Sequence, residues 1–310
     1  MKEKLNVAMA RVTLKQLRAI DAVARTGTIS KAAKELNVTP PAISMQMKLL
    51  EETVGLPVVE RTDSGLRPTD AGLIVLEAVH RCESALAACG EALEGMKGIG
   101  GGRVAVGVVS TAKYFAPRAL AAFTRTHPKV EMRLSVGNRR ETIDMLKGSE
   151  LDFAVMGRPP QEFEVDQAVI GDHPHIIVAP PDHPMAKRKK ISFADVASET
   201  FLLREDGSGT RALMQRLFAK AGHNPNTGME IGSNETIKQA VMAGLGIALL
   251  SAHTVGPELN EKRLVILEVD GLPVIRKWFV VKRKERVLMP TSQALWDFLA
   301  ESGVDFLPQP

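Results

Sequence analysis

The sequence predicts a multidomain chain: a small, mainly helical N-terminal domain with a two-stranded wing, one long helix, and a larger α/β domain. Three observations predict it. Capping residues and short apolar stripes recur over residues 13–55, with strand-like segments at 58–69. Proline is absent from 70–97, where apolar residues recur at helical spacing, and from Arg103 onward strands alternate with helices. At 310 residues the chain exceeds what one small core needs and suits two or three domains.

The first helix carries Leu14, Leu17, Ile20, Val23 and Ala24 on one apolar face and ends at Gly27. Ser30 is the expected cap of the second helix, whose Ala32 and Ala33 allow another helix to cross closely and whose Leu36 anchors its end. Thr39 is the expected cap of the third, with Pro40 at the first helical position, where a missing N–H costs nothing. Ile43, Met47 and Leu50 recur at helical spacing as a buried stripe. That turns Pro40, Pro41, Ser44, Met45 and Lys48 outward. Two short helices around a tight turn, the second with an outward polar face, are the frame of a helix-turn-helix DNA reader. Gly55 ends the third helix, and 58–61 and 65–69 read as two strands about a turn at Thr62-Asp63-Ser64, which places Arg61 and Arg67 where a wing meets phosphates.

Residues 70–97 then read as a long amphipathic helix with Leu73, Leu76, Val79, Leu86, Leu93 and Met96. Its stripe outruns the small preceding domain and calls for a second surface. Cys82 and Cys89 lie seven apart on it and are expected to be buried or half-buried thiols. Gly98-Ile99-Gly100-Gly101-Gly102 is the expected hinge. It is no phosphate loop, because the Lys-Ser/Thr ending and a preceding strand are missing.

Beyond the hinge, 104–109, 130–136, 152–156 and 175–179 are β-rich, with helices around 113–125 and 139–148. A second set follows: strands near 201–203, 229–232, 246–251, 264–269 and 276–283, helices near 210–221 and 234–243, and a last helix at 291–302. The alternation argues for α/β architecture with ligands at strand ends.

The formal net charge is +4, and residues 1–70 hold eleven Lys or Arg against eight Asp or Glu, so most of the surplus lies in the proposed DNA reader. The N-terminus lacks the apolar run of a secretory signal, and no segment nears the roughly 18 apolar residues of a membrane span. A cytoplasmic protein without a membrane partner is therefore expected. Enzyme features are thin: His173, His175, Asp182 and His183 read as turn punctuation beside a strand rather than metal ligands, and Ser208 lies in Gly-Ser-Gly, not in a nucleophile elbow. No catalytic residue, metal or cofactor is expected.

Leu14-Lys15-Gln16-Leu17, Ala32-Ala33, Pro41-Ala42-Ile43-Ser44, Leu50-Glu51, Arg61 and 66–72 (Leu-Arg-Pro-Thr-Asp-Ala-Gly) resemble, in order and spacing, the LysR-type transcriptional regulators. The resemblance covers essentially the whole chain and is most specific over 13–72. It implies a winged helix-turn-helix domain over 1–70, a linker helix over 71–97 that pairs with its copy in another subunit, a hinge at 98–102, and an effector domain over 103–310. That domain is of two-lobed periplasmic-binding-protein type, lobe I being 103–172 and 276–310 and lobe II 173–275. Double-stranded DNA, a homodimer or homotetramer, RNA polymerase and a small metabolite are the implied partners. The DNA-contacting residues would be Ser30, Thr39, Pro40, Pro41, Ser44, Gln46 and Lys48, with Arg61 and Arg67 at phosphates. Many members carry Gln and Arg where this chain has Pro40 and Met45, so readout here leans on Ser44, Gln46, apolar contact and DNA shape.

In such a fold, helix N-termini facing the inter-lobe cleft suit anions. Ser110-Thr111, the 207–211 segment with Thr210, and the 232–236 segment with Asn234 meet that description, with Asn138, Arg139, Arg158 and Arg204 nearby. The wording of 39–44, 156–160 and 233–247 narrows the resemblance to the CbbR subgroup, activators of Calvin-cycle carbon-fixation operons. That implies an anionic effector, a phosphorylated metabolite or a nicotinamide nucleotide. A LysR-type regulator of an aromatic or organic-acid operon with a carboxylate effector is the alternative, and an enzyme on the same two-lobed fold a more distant one.

Overall fold

The computed structural model describes residues 9–63, 65–96 and 101–308. Ser64 of the expected wing turn and Gly98, Ile99 and Gly100 of the expected hinge lie outside the described residues, as does the side chain of Met96. Two compact units divide between Gly90 and Glu91.

In the first unit, α1 (Leu14–Thr26) opens with a capping box: the Gln16 N–H donates to Thr13 Oγ1 while the Thr13 N–H donates to Gln16 Oε1 at 2.7 Å. Gly27 closes it in the left-handed region, with φ 74°. The cap of α2 (Ile29–Glu35) is Thr28, not Ser30. Extended backbone at Thr28 aims its hydroxyl at the Lys31 N–H, which leaves Ser30 as the second residue of the helix, and exposed. Thr39 does hold the cap position of α3 (Pro40–Val54), but its side chain makes no capping bond. Ile43, Met47 and Leu50 are buried with Leu17, Ile20, Val23, Ala32 and Ala33, as the apolar spacing predicts. Leu14 departs from its stripe and is 39% exposed.

The wing is the antiparallel pair β1 (Val59–Thr62) and β2 (Gly65–Pro68). Leu66 donates its N–H to Gly27 O, tying the wing to the turn between α1 and α2. The long helix α4 runs from Asp70 to Met96. Its Gly72 has no room for a side chain, since a Cβ there would come within 2.0 Å of Val58 O. Val75, Leu76 and Val79 are buried against the domain, whereas Leu73, Ile74, Leu86 and Leu93 are exposed. Cys82 and Cys89 are also exposed, contrary to the expectation of buried thiols: seven and fourteen residues on from Val75, they continue its helix face past the buried Val75, Leu76 and Val79.

The second unit is built on one seven-stranded sheet, ordered β10-β6-β11-β5-β3-β4, with β9 also pairing β6. In chain order come β3 (Gly102–Val109), a 3-10 turn (Ala112–Tyr114), α5 (Ala116–Thr126), β4 (Val130–Gly137), α6 (Arg139–Lys147) and β5 (Phe153–Met156). The long strand β6 (Val165–Ala179) follows, then α7 (Phe193–Ala197), β7 (Thr200–Arg204), α8 (Gly209–Lys220), β8 (Asn226–Ile231) and α9 (Asn234–Met242). The unit is completed by β9 (Ala248–Ser251), α10 (Gly256–Asn260), β10 (Val265–Ile266), β11 (Val274–Arg283) and α11 (Pro290–Ser302).

Parallel β3, β4 and β5 build lobe I around the core of Phe115, Phe123, Phe153, Trp278 and Leu295. The other lobe packs around two adjoining clusters, one with Ile177, Phe201 and Phe218, the other with Ile176, Ile237 and Val241. Antiparallel β6 and β11 run between them, in register Asp172↔Lys277 and His173↔Arg276. The periodicity reading found only the second half of β6. In residues 165–171 only Ile170 is buried, the rest being exposed or half-buried, and the stretch carries Asp, Gln and Gly, a pattern of a strand wet on one face rather than a continuous apolar run.

Candidate functional site

The N-terminal unit presents α3 with its apolar stripe inward. Pro40, Pro41, Ser44, Met45 and Lys48 are exposed along one outer face, and Gln46 is half-buried. Because the first two helical residues are prolines, the first donors are Ala42 and Ile43, and both already donate to Thr39 O at 3.0 and 3.3 Å. The tip of this helix therefore offers apolar rings rather than free N–H groups. That suits contact with thymine methyls better than a phosphate grip. Lys48 lies 3.9 Å from Glu52, an exposed pair of little energetic weight. On the wing Arg61 and Arg67 are exposed, opposite Leu66 and Glu60 respectively.

The second unit holds a cleft between its lobes, enclosing about 390 Å3 including its open mouth. Ser110, Thr111, Asn138 and Arg158 line it from lobe I, Arg204 and Thr210 from lobe II. Asn234, also proposed from the sequence, lies behind this wall and is 1% exposed. Its amide nitrogen donates to Ser110 O at 3.2 Å, and its oxygen accepts from Arg204. Arg204 is buried, bidentate to Glu205 at 2.8 and 3.0 Å, and donates to Ser110 Oγ at 3.1 Å. This pair and Asn234 thus form a neutral strap joining the lobes. Asn138 spends its side chain on a capping box with Glu141 at the start of α6. By contrast, Ser208 and Thr111 make no capping bond, so hydroxyls and the start of α8 face the cleft uncommitted.

Three further lining residues complete the cleft: Arg276 on β11, and His173 and His175, which the sequence reads as turn punctuation but which lie within β6, paired with β11. Arg276 donates to Gly157 O at 2.7 Å. Burial, then Arg216, Arg158 and Arg139, lower its pKa to about 10. Burial leads likewise at Arg139 and Arg216, with Arg158 adding repulsion at both. The Nε–H of Arg139 is buried and meets no acceptor among the described residues. Four guanidiniums thus crowd one mouth, with Glu162 4.0 Å from Arg139. Arg216 and Arg276 sit in a helix and a strand whose local sequence gives no ligand signal. Only their convergence marks them.

The floor is uncharged. Burial, followed by the nearby cations, puts His173 far below its ordinary pKa and His175 at about 3, and burial puts His253 at about 4. His173 stacks on Trp278 with centroids 3.7 Å apart and bonds Ser251 Oγ at 3.0 Å through Nε2. Its buried Nδ1 has no partner among the described residues. Outside the lining residues Tyr114 donates to Glu235, and Lys238, held 2.9 Å from both Glu235 and Glu258, lies over its ring. Among the described residues no cluster of His, Cys, Asp or Glu is arranged to hold a metal ion, and no helix is long and apolar enough to cross a membrane.

A cleft with more guanidiniums than carboxylates at its mouth, floored by neutral rings, can hold a small polyanion. Comparison with known proteins agrees in kind. Residues 14–73 match the family of bacterial regulatory helix-turn-helix proteins, lysR family, and residues 98–303 match the LysR substrate binding domain. The transcriptional regulator CbbR of Xanthobacter flavus is 53% identical over 96% of this chain and 90% of its own length. The RuBisCO operon transcriptional regulator of Allochromatium vinosum is 41% identical over 93% of this chain and 95% of its own. The CcmR regulatory domain of Synechocystis PCC6803, solved in complex with 2-PG, superposes with a TM-score of 0.62 at 36% identity, covering 64% of this chain and 96% of that one.

Proposed function

The chain belongs to the LysR family of bacterial transcriptional regulators, and from that premise we propose that it controls a carbon-fixation operon in response to a small, multiply charged anion held between its lobes. The observation that carries the effector reading is the mouth of Arg139, Arg158, Arg216 and Arg276 against the single carboxylate of Glu162. A ligand with two anionic ends suits it. One end meets the hydroxyls of Ser110, Thr111, Ser208 and Thr210 and the start of α8; the other meets the guanidiniums.

Arg204 and Asn234 then act from behind, by setting Ser110 and the lobe spacing, and Asn138 by holding α6. The compound named with the Synechocystis relative, 2-PG, has the charge for this, and the relative's name in Allochromatium vinosum supports the operon. In the DNA-binding domain, 1–70, Pro40, Pro41, Ser44, Gln46 and Lys48 face the major groove and Arg61 and Arg67 grip phosphates, while Ser30 and Thr39 flank the helix pair.

The exposed leucines of α4, in the linker of 71–97, pair with a second copy, and 98–102 link that linker to the effector domain of 103–310. A dimer or tetramer acting in the cytoplasm beside RNA polymerase follows from this scheme. Ligand bound more tightly by one lobe arrangement shifts the oligomer toward it and changes how the paired readers bend DNA.

The test is fluorescence anisotropy of the full chain on the upstream region of its RuBisCO operon, with and without 2-phosphoglycolate. Sequence-preferring binding that the anion alters is expected. Equal affinity for unrelated duplexes would remove the DNA reading, and a response unaltered by Arg158→Ala would remove the cleft assignment.

A further inference from the structure

The cleft arginines share their partners in an unusual way. Arg276 Nη2 donates to Gly157 O at 2.7 Å, Arg139 Nη2 to Pro159 O at 3.3 Å, and Arg158 Nη2 to Gln161 Oε1 at 3.3 Å, while Glu162 Oε1 lies 4.0 Å from Arg139 Nη1. All four acceptors come from one stretch, residues 157–162. Its two ends are pinned. Met156 is fully buried in β5, and beyond the stretch Phe163 packs under Arg283 while Glu164 pairs with Lys284 at 3.0 Å.

We propose that this strap is a resident competitor of the effector, offering Arg139, Arg158 and Arg276 carbonyl and carboxylate oxygens where a ligand would offer its own, with Glu162 supplying the charge that a bound anion must displace. The proposal rests on the reading of the cleft as the effector site. Its geometry fits the role. The acceptors are single and partly long, so each guanidinium keeps donors for a ligand, and Glu162 is anchored by the Gln161 N–H at 2.7 Å rather than by a bidentate arginine fork. A carboxylate held beside the cations without full pairing lowers repulsion in the empty cleft. It also sets the concentration at which the effector wins.

Isothermal titration of the full chain with 2-phosphoglycolate, and separately with inorganic phosphate, tests this at low salt. Glu162→Gln should bind both about fivefold more tightly, the effect of one unit charge 4 Å away screened as in water. The gain should shrink at 0.5 M salt, where charges are screened within a few ångströms. Glu164→Gln makes the same charge change outside the strap and should leave affinity unchanged. Unaltered or weaker binding by Glu162→Gln, or an equal gain from Glu164→Gln, overturns the competitor. Wild-type protein that binds neither probe overturns the cleft reading itself, and the competitor with it.

Discussion

Replacing Arg276 by Gln should make the empty protein more stable and the effector weaker, two opposite effects from one side chain. The guanidinium is held at about 10, well below its ordinary value, by burial and by its neighbours Arg216, Arg158 and Arg139. A group whose charged form is disfavoured in the fold destabilises it wherever that form persists. The strain is therefore present in full at neutral pH and is relieved only as pH rises through about 10 toward the ordinary guanidinium value. At 1.36 kcal/mol per pKa unit the ceiling is about 3 kcal/mol, reduced by solvent at the open mouth. Gln keeps a donor for Gly157 O, so the variant should gain about 1–2 kcal/mol. That is a rise of roughly 2–8 °C in Tm for a domain of this size. The same change removes one of four cations from the anion, with an expected cost of about 2–5 kcal/mol in binding, or 30-fold and upward. Thermal melts of the ligand-free chain and titration with 2-phosphoglycolate measure the two effects. A lower Tm together with unchanged affinity would refute the reasoning, because it would make Arg276 a structural brace.

Arg61→Ala should weaken binding to all duplexes alike and reduce the salt slope by about one, whereas Ser44→Ala should cost about 1–3 kcal/mol only on the preferred site; anisotropy over a salt series separates them. His175 and His253, with folded pKa values of about 3 and 4, are neutral in the native state and charge readily once unfolded. Their contribution should be flat above pH 7, and stability should fall from about pH 6.5 downward, by about 1 kcal/mol per pH unit for each histidine, read as the urea midpoint at pH 7 and pH 5. For the same reason, sulfate affinity should stay flat between pH 7 and pH 8. Gly72→Ala should lower the melting temperature of the full chain, since its Cβ would meet Val58 O at 2.0 Å and the wing must shift to admit it; an unchanged melt would mean that the α4 start moves freely.

Local signals were legible wherever the physics is local. Gly27 and Gly55 end helices because a left-handed cap suits glycine, and the Ile43, Met47, Leu50 stripe is buried because helical spacing puts those side chains on one face. The length of α4 and the alternation from β3 to α11 follow in the same way. Where two hydroxyls compete within three residues, the spacing could not decide between them. Thr28, not Ser30, caps α2 because the preceding turn sets the backbone angles.

The cleft belongs to the tertiary structure. Arg139, Arg158, Arg216 and Arg276 lie on a helix start, a loop, another helix and a crossing strand. They converge only because β11 inserts between β5 and β6 and places residue 276 opposite residue 173. The same crossing buries His173 and His175 into neutrality, and only the packed lobes show Arg204 and Asn234 committed to each other. Capping and periodicity act within a few residues, so they can be read along the chain. Charge repulsion and desolvation depend on which distant side chains share a cavity, and that is settled by the spatial order of the strands in the sheet.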